Sequence, residues 1–330
     1  MTGVGLPAGP GAPAATPGPE VVTTIAELRH RCDDARRAGR RVGLVPTMGF
    51  LHAGHASLMR AAARDDDFVV VTVFVNPIQF GPHEDLDGYP RDLEGDRRTA
   101  AAAGVDLVFA PTTAEMYPDG PPRTTVHVEG LTAGLCGAHR PGHFDGVTTV
   151  VAKLAAIVGP CRAYFGRKDF QQLRVIEQMV ADLDLPVEVV GCPLVREADG
   201  LALSSRNAYL EPSERAAATV LFRSLREASR LLVGGERDPH RVLDAVRATL
   251  ATEPSVRPQY VELVDVMRLE PVRAVDGRTP LLLALAAHVG RARLIDNLVV
   301  SWRDGTAATD LGVTLGPGGA LQPVPPEPAS

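Results

Sequence analysis

Two imidazoles three residues apart sit in GLVPTMGFLHAGH, residues 43–55, where an apolar strand pattern runs into a Gly-containing turn that holds His52 and His55. At a helix start, side chains three apart share a face, so both rings can reach one group. The backbone N–H groups there favour an anion. Phosphate contact, half of a metal site, and a cap carrying two surface histidines all fit this spacing. A metal site has the least support, because no third Cys, His or carboxylate stands at a recognisable ligand spacing.

Other chemistry-bearing residues fall at comparable junctions. VFVNPIQFGPHEDLDGYPRD, residues 73–92, supplies Asn76 and Gln79, amides that can bond hydroxyls or a carboxylate without adding charge; Asn-Pro as plain turn punctuation is the alternative. AYFGRKDFQQL, residues 163–173, places Gly166, Arg167, Lys168, Asp169 and Gln172 where a strand passes into a helix. Of 34 Lys plus Arg in the chain, the lysines are Lys153 and Lys168. A chain that otherwise writes Arg has written a compact ammonium at 168, with chance as the rival explanation. VREADGLALSSRNAYL, residues 195–210, groups Ser204, Ser205 and Arg206, suited to a polyphosphate or to an ordinary Ser-rich turn. LCGAHRPGHFDGV, residues 135–147, is a Gly/Pro loop with His139, Arg140 and His143. Neither GxGxxG nor GxxxxGK[ST] follows a strand, so the usual dinucleotide fingerprint and the P-loop lack support.

The elements that must position these residues alternate. Thr24-x-x-Glu27 forms a capping box for a helix, followed by strand RVGLVP and a helix over about 54–64. FVVVTVFV, residues 68–75, is β-branched and aromatic without alternation, as for a strand buried on both faces of a parallel sheet. A helix at 92–103, strand DLVFA, helix at 146–158, strand RAYFG, helix at 169–183 and strand VEVVG continue the order. The pattern predicts a doubly wound parallel α/β domain over 21–192. Two long amphipathic helices, about 212–234 and 238–252, and strand-like YVELVDV, LLLALAAHV and RLIDNLVV then predict a smaller α+β domain over 193–303. Residues 1–20 and 304–330, rich in Gly and Pro, are expected to be disordered tails.

Composition narrows the function. The net charge of -6 with scattered Lys/Arg excludes the basic stripe of a nucleic-acid binder. Four cysteines without CxxC spacing suggest reduced thiols, no signal-peptide pattern opens the chain, and no apolar run reaches membrane-spanning length. A cytoplasmic enzyme or binding protein is expected.

PTMGFLHAGH, FVNPIQFG, YPRDLEGD, RPGHFDGV, FGRKDFQQL and DGLALSSRN occur in the order and spacing of the pantothenate synthetase (pantoate–β-alanine ligase) family, which the chain resembles over about residues 22–300. That family lies within the HxGH nucleotidyltransferases. The resemblance implies a Rossmann-like domain, ATP with Mg²⁺, pantoate and β-alanine as small-molecule partners, and a homodimer. It implies ATP contact by Met48, Gly49, Phe50, Leu51, His52, Ala53, Gly54 and His55, with His55 as proton donor. Gly166, Arg167, Lys168 and Asp169 would join them, Val195 would lie near adenine, and Leu203, Ser204, Ser205 and Arg206 would close over the phosphates. Gln79 and Gln172 would hold pantoate, with Asn76 beside them and Gln79 also meeting β-alanine. Asp96 would stand near the Mg²⁺-nucleotide, and Arg140 matches a loop arginine without an assigned role. The implied reaction forms a pantoyl adenylate and pyrophosphate, then pantothenate and AMP. Two departures stand out: Arg167 where the family commonly has Glu, and Ile78 where Met is common. A nucleotidyltransferase making a dinucleotide-type product should lack the two glutamines, and a nucleotide-binding regulator would need no second anion pocket.

Overall fold

The computed structural model describes residues 18–82, 84–316 and 320–324. The expected N-terminal tail lies outside the described residues up to position 17, and so do positions 317–319 and 325–330 of the expected C-terminal tail. The first unit comprises β1 (Glu20–Val22), α1 (Ile25–Arg37), β2 (Val42–Thr47), α2 (Ala53–Asp65), β3 (Phe68–Val73), α3 (Leu93–Ala102), β4 (Leu107–Phe109), α4 (Thr113–Met116), α5 (Leu135–His139), α6 (His143–Val158), β5 (Cys161–Gly166), α7 (Phe170–Asp182) and β6 (Val187–Cys192). The second comprises β7 (Val195–Arg196), α8 (Pro212–Ala217), α9 (Val220–Val233), α10 (Pro239–Leu250), β8 (Val256–Asp265), β9 (Leu281–Val289), β10 (Ala292–Arg303), β11 (Thr306–Asp310), β12 (Val313–Leu315) and β13 (Leu321–Pro323).

Six parallel strands run in the order β1-β4-β3-β2-β5-β6. The sheet is Rossmann-like and doubly wound, as its alternating pattern predicts. Along β3 successive valines turn to opposite faces, and each face has its own core: Val70 packs with Leu44 and Phe109, whereas Val69 and Val71 pack with Val45 and Val108. An unbroken apolar run is therefore what this position requires. The helices supply the covering layers. In α1, for example, Leu28, Cys32 and Ala35 recur at helical spacing and are all buried, and burial of a leucine of this kind contributes about 1.5–3 kcal/mol.

The strand order also creates the site. Chain direction reverses its winding between β2 and β5, which are adjacent although α2 through α6 intervene. A crevice opens beyond the carboxyl ends of strands at such a switch point, and the loops leaving β2 and β5 are the HAGH and GRKD stretches.

The second unit is an antiparallel sheet, β11-β10-β9-β8, covered by α9 and α10. Two expectations need correction here. The helix read over 212–234 is two helices, because Leu221 N–H bonds back three residues to Ala218 and the Thr219 hydroxyl bonds the Ala216 carbonyl, tightening the turn and diverting a backbone acceptor. The C-terminal stretch is not a tail throughout: β11 pairs with β10, and β12 lies parallel to β7 with β13 at its outer edge. At the other end, Glu20 already belongs to a strand beside β4. In each case the partners lie far away in the chain, and short Gly/Pro-flanked segments carry no local sign of them.

Candidate active site

The loop after β2 is shaped by contacts within the protein. Gly49 adopts φ +87°, and a Cβ there would stand 2.9 Å from both the Asp96 carboxylate and Val73, so Gly is required on two counts. Phe50 also has a positive φ, 51°. Asp96 holds this turn: its two carboxylate oxygens accept the N–H groups of Phe50 at 3.0 Å and Leu51 at 2.6 Å. Asp96 is 2% exposed and is absent from the cavity wall. Each of its oxygens accepts one N–H of the loop, so its role in the structure is to hold the turn.

The two histidines form the N-terminus of α2. His52 is the N-cap, and its Nδ1 accepts the Gly54 N–H at 3.1 Å, while Nδ1 of His55 accepts the His52 N–H at 3.3 Å. These are the two bonds of a capping box, made by imidazoles in place of Ser and Glu. Both bonds need an unprotonated Nδ1, which leaves the proton on each Nε2. A side chain at Gly54 would meet the His52 ring at 2.9 Å, which accounts for the glycine between them. The ring centroids are 4.1 Å apart. Enclosure by protein lowers the His52 pKa to about 2, with His55 and then Lys168 adding repulsion. The same loss of hydration, followed by Lys168, lowers His55 to about 4, against a smaller opposing effect of Asp169. Both rings are neutral N–H donors at pH 7.

Lys168 lies on the single 3-10 turn Arg167–Asp169 after β5, with Nζ 3.7 Å from the Asp169 carboxylate. The backbone of this turn is fixed from the other unit, since the Asn297 amide donates to the carbonyls of Arg167 at 3.1 Å and Lys168 at 2.9 Å. Arg167 faces away and pairs with Asp310 at 3.2 Å. Ser204 caps the turn that carries Ser205 and Arg206, and the Ser205 hydroxyl reaches the Phe50 carbonyl at 3.4 Å. Arg206 bonds Asp85 at 3.0 Å.

Gln79 is held through both its side chain and its backbone. Its Oε1 accepts from Asn76 Nδ2 at 2.9 Å; Asn76 also donates to the Gly146 carbonyl at 3.1 Å and accepts the Tyr117 hydroxyl at 2.9 Å. His143 Nδ1 bonds the Gln79 carbonyl at 2.9 Å and Arg140 Nη1 bonds His143 Nε2 at 2.8 Å. A Cβ on Gly146 would sit 2.4 Å from the Ile78 carbonyl. The RPGHFDG stretch, which in sequence signals only a loop, therefore grips the segment that bears Gln79. Asn76, 1% exposed, lines the cavity while its amide holds Gln79, Gly146 and Tyr117. The tandem glutamines after GRKD divide in role: Gln171 is bound to Cys136 N–H and to the carbonyls of Leu131 and Gly134, whereas Gln172 lines the cavity.

One cavity of about 220 Å³ brings together His52, His55, Lys168, Gln79, Gln172 and Arg206. Met48, Gly54, Gly166, Asp169, Val195, Leu203, Ser204 and Ser205 also line it; Gly49, Phe50, Leu51, Ala53 and Arg167 do not. Its wall offers cations and neutral N–H donors, and also apolar surface from Phe74, Val147, Val150 and Val151. Arg140 stands outside it, in a bidentate pair with Glu84 at 2.6 Å. Positioning by Asn297, His143 and Tyr117 could not be read from sequence, since no spacing connects them to the residues they hold. Among the described residues no group of three His, Cys, Asp or Glu is arranged to hold a metal, and none of the helices is long and apolar enough to cross a membrane.

A sequence profile described as Pantoate-beta-alanine ligase matches residues 20–299. The pantothenate synthetase of Moorella thermoacetica is 54% identical over 285 residues, covering 86% of this chain and 100% of that protein. That of Heliobacterium modesticaldum is 55% identical over 280 residues, 85% of this chain and 99% of the relative. The chain belongs to the pantoate–β-alanine ligase family. It is accordingly a ligase of pantothenate formation, and the Rossmann-like fold is shared with solved members. Pantothenate synthetase from Thermus thermophilus superposes with TM-score 0.78 at 49% identity, covering 84% of this chain and 98% of that one. The ligase from Francisella tularensis, solved in complex with β-γ ATP and β-alanine, gives 0.70 at 31% identity, with 84% and 97% covered.

Proposed function

We propose that this ligase works through an acyl adenylate built in the cavity between β2 and β5. A pantoate carboxylate oxygen attacks the α-phosphorus of ATP, the bond from that phosphorus to the bridging oxygen breaks, and pyrophosphate leaves. The amine of β-alanine then attacks the acyl carbon, losing its proton, and the acyl–oxygen bond breaks to release AMP. The observation that carries this reading is that one cavity is lined by His52, His55, Lys168 and Arg206 together with Gln79 and Gln172.

Charge grows on the phosphate oxygens during attack, so fixed donors aimed at them lower the barrier. Lys168 supplies a point charge, and the histidines supply Nε2–H groups. With its pKa near 4, His55 acts as a hydrogen-bond donor rather than the proton donor that the resemblance implies. A carboxylate nucleophile needs no strong base, and neutral glutamines suffice to orient it. Phe74 and the valines of α6 suit the dimethyl carbon of pantoate. The adenine would lie along Leu194 and Val195. Mg²⁺ fits as a companion of the nucleotide held by phosphate, water and at most one or two carboxylates; Asp169, on the cavity wall and 47% exposed at its side chain, can serve. It would supply charge neutralisation on the phosphates. Four free cysteines are consistent with the cytoplasmic location included in this reading, and assembly as a homodimer is carried over from the family resemblance.

The test is product formation from ATP with each substrate omitted in turn. AMP should accumulate over many turnovers only with pantoate, β-alanine and Mg²⁺ all present. Sustained AMP release at full rate without β-alanine, or release of ADP, would refute it.

A further inference from the structure

The family match ends at residue 299, yet the chain continues through three more strands that return to the nucleotide wall. We propose that this C-terminal extension is a positioning device for ATP, holding the 194–196 segment and the GRKD turn in place.

After β11 the chain turns at Leu311, 1% exposed, and Gly312. Gly312 has φ +89°, and a Cβ there would stand 2.3 Å from the Leu194 carbonyl. β12 then aligns with β7, pairing Val313 with Val195 and Thr314 with Arg196. The Val313 N–H bonds the Leu194 carbonyl at 2.8 Å. β13 covers the outer edge of β12, and the Val324 N–H returns to the Gly312 carbonyl at 3.0 Å. Two of the three strands in this small sheet thus come from beyond the family match, and the third carries Val195 of the cavity wall.

Two side-chain links strengthen the attachment. Arg196 is fully buried, forms a bidentate pair with Asp296 at 2.7 and 2.8 Å, and donates Nε–H to the Leu311 carbonyl at 2.5 Å. That bond ties the extension directly to the buried ion pair beside Val195. Asp310 pairs with Arg167 at 3.2 Å. Both links end on segments that bear ATP-site residues, Val195 in one case and Lys168 in the other.

The inference rests on the proposed location of ATP, and the experiment separates the two. ATP dissociation constants and steady-state KM values are measured for the full chain, for Gly312→Ala, for Asp310→Ala and for Lys168→Ala. Gly312→Ala drives β12 from Leu194 while leaving the chain complete. It should raise the ATP dissociation constant and KM at least fivefold, with the pantoate KM within twofold; Asp310→Ala should do the same more weakly. A purely structural role would lower the melting temperature and the active fraction without this split. Unchanged ATP affinity in a folded Gly312→Ala protein, alongside slowed single-turnover pyrophosphate release in Lys168→Ala, overturns the inference and leaves the reaction reading intact. A folded Lys168→Ala protein that releases pyrophosphate at the parental single-turnover rate would overturn the location of ATP itself.

Discussion

At the residue scale, His52, His55 and Lys168 were legible because each lies in a contiguous stretch whose turn chemistry is local. The histidines, three apart with a glycine between, cap their own helix, and a single lysine at a strand end in an arginine-rich chain marks a preference for a point charge. What could not be read was the protonation state. Enclosure depends on walls contributed by the other unit, including Leu203 and Ser204, and those walls make both rings neutral. For Lys168 the account predicts a transition-state role. Lys168→Ala should lower the single-turnover rate of pyrophosphate release by ~10²- to 10³-fold, comparable to loss of one transition-state donor. Lys168→Arg should not restore it, because a planar fork places its charge differently. A Lys168→Arg rate within about threefold of the parent, under ~0.7 kcal/mol of barrier, would show that any cation serves.

At the element scale, the alternation of strand and helix was enough to place the α/β unit, since β3 and α1 announce themselves by local pattern. Strand order was not legible, although it decides the site by setting β2 beside β5. Nor were the supports that reach across the fold. Asn297 lies 129 residues from Lys168, on a strand whose apolar pattern gives no hint that its amide faces another unit. Asn297→Ala should leave the buried Arg196–Asp296 pair intact while freeing the GRKD turn. We expect about a tenfold fall in the rate of the first step with little change in pantoate affinity. A single-turnover rate equal to that of the parent protein would show that the turn holds itself.

At the scale of the whole molecule, stability should carry the signature of histidines enclosed in the neutral form. Besides His52 and His55, His143 is lowered to about 4, by burial first and by Arg140 second. Each binds a proton in the unfolded chain below its ordinary value near 6.5 but not in the folded protein until about 4 or lower. The unfolded state therefore takes up more protons across that window, and stability must fall as pH drops from about 6.5 towards 4. Denaturant titrations at several pH values should show this decline, and His143→Gln should flatten it by up to about one proton; an unchanged slope would mean that His143 is protonated in the fold. The central claim is chemical: one cavity brings the pantoate carboxylate to the α-phosphorus of ATP. Pantoate carrying oxygen-18 in its carboxylate tests it most directly. Adenylate formation followed by attack at the acyl carbon must leave one labelled oxygen in AMP, and mass spectrometry of the nucleotide product should find it there in every turnover. Unlabelled AMP, or label in orthophosphate accompanied by ADP, would contradict the account.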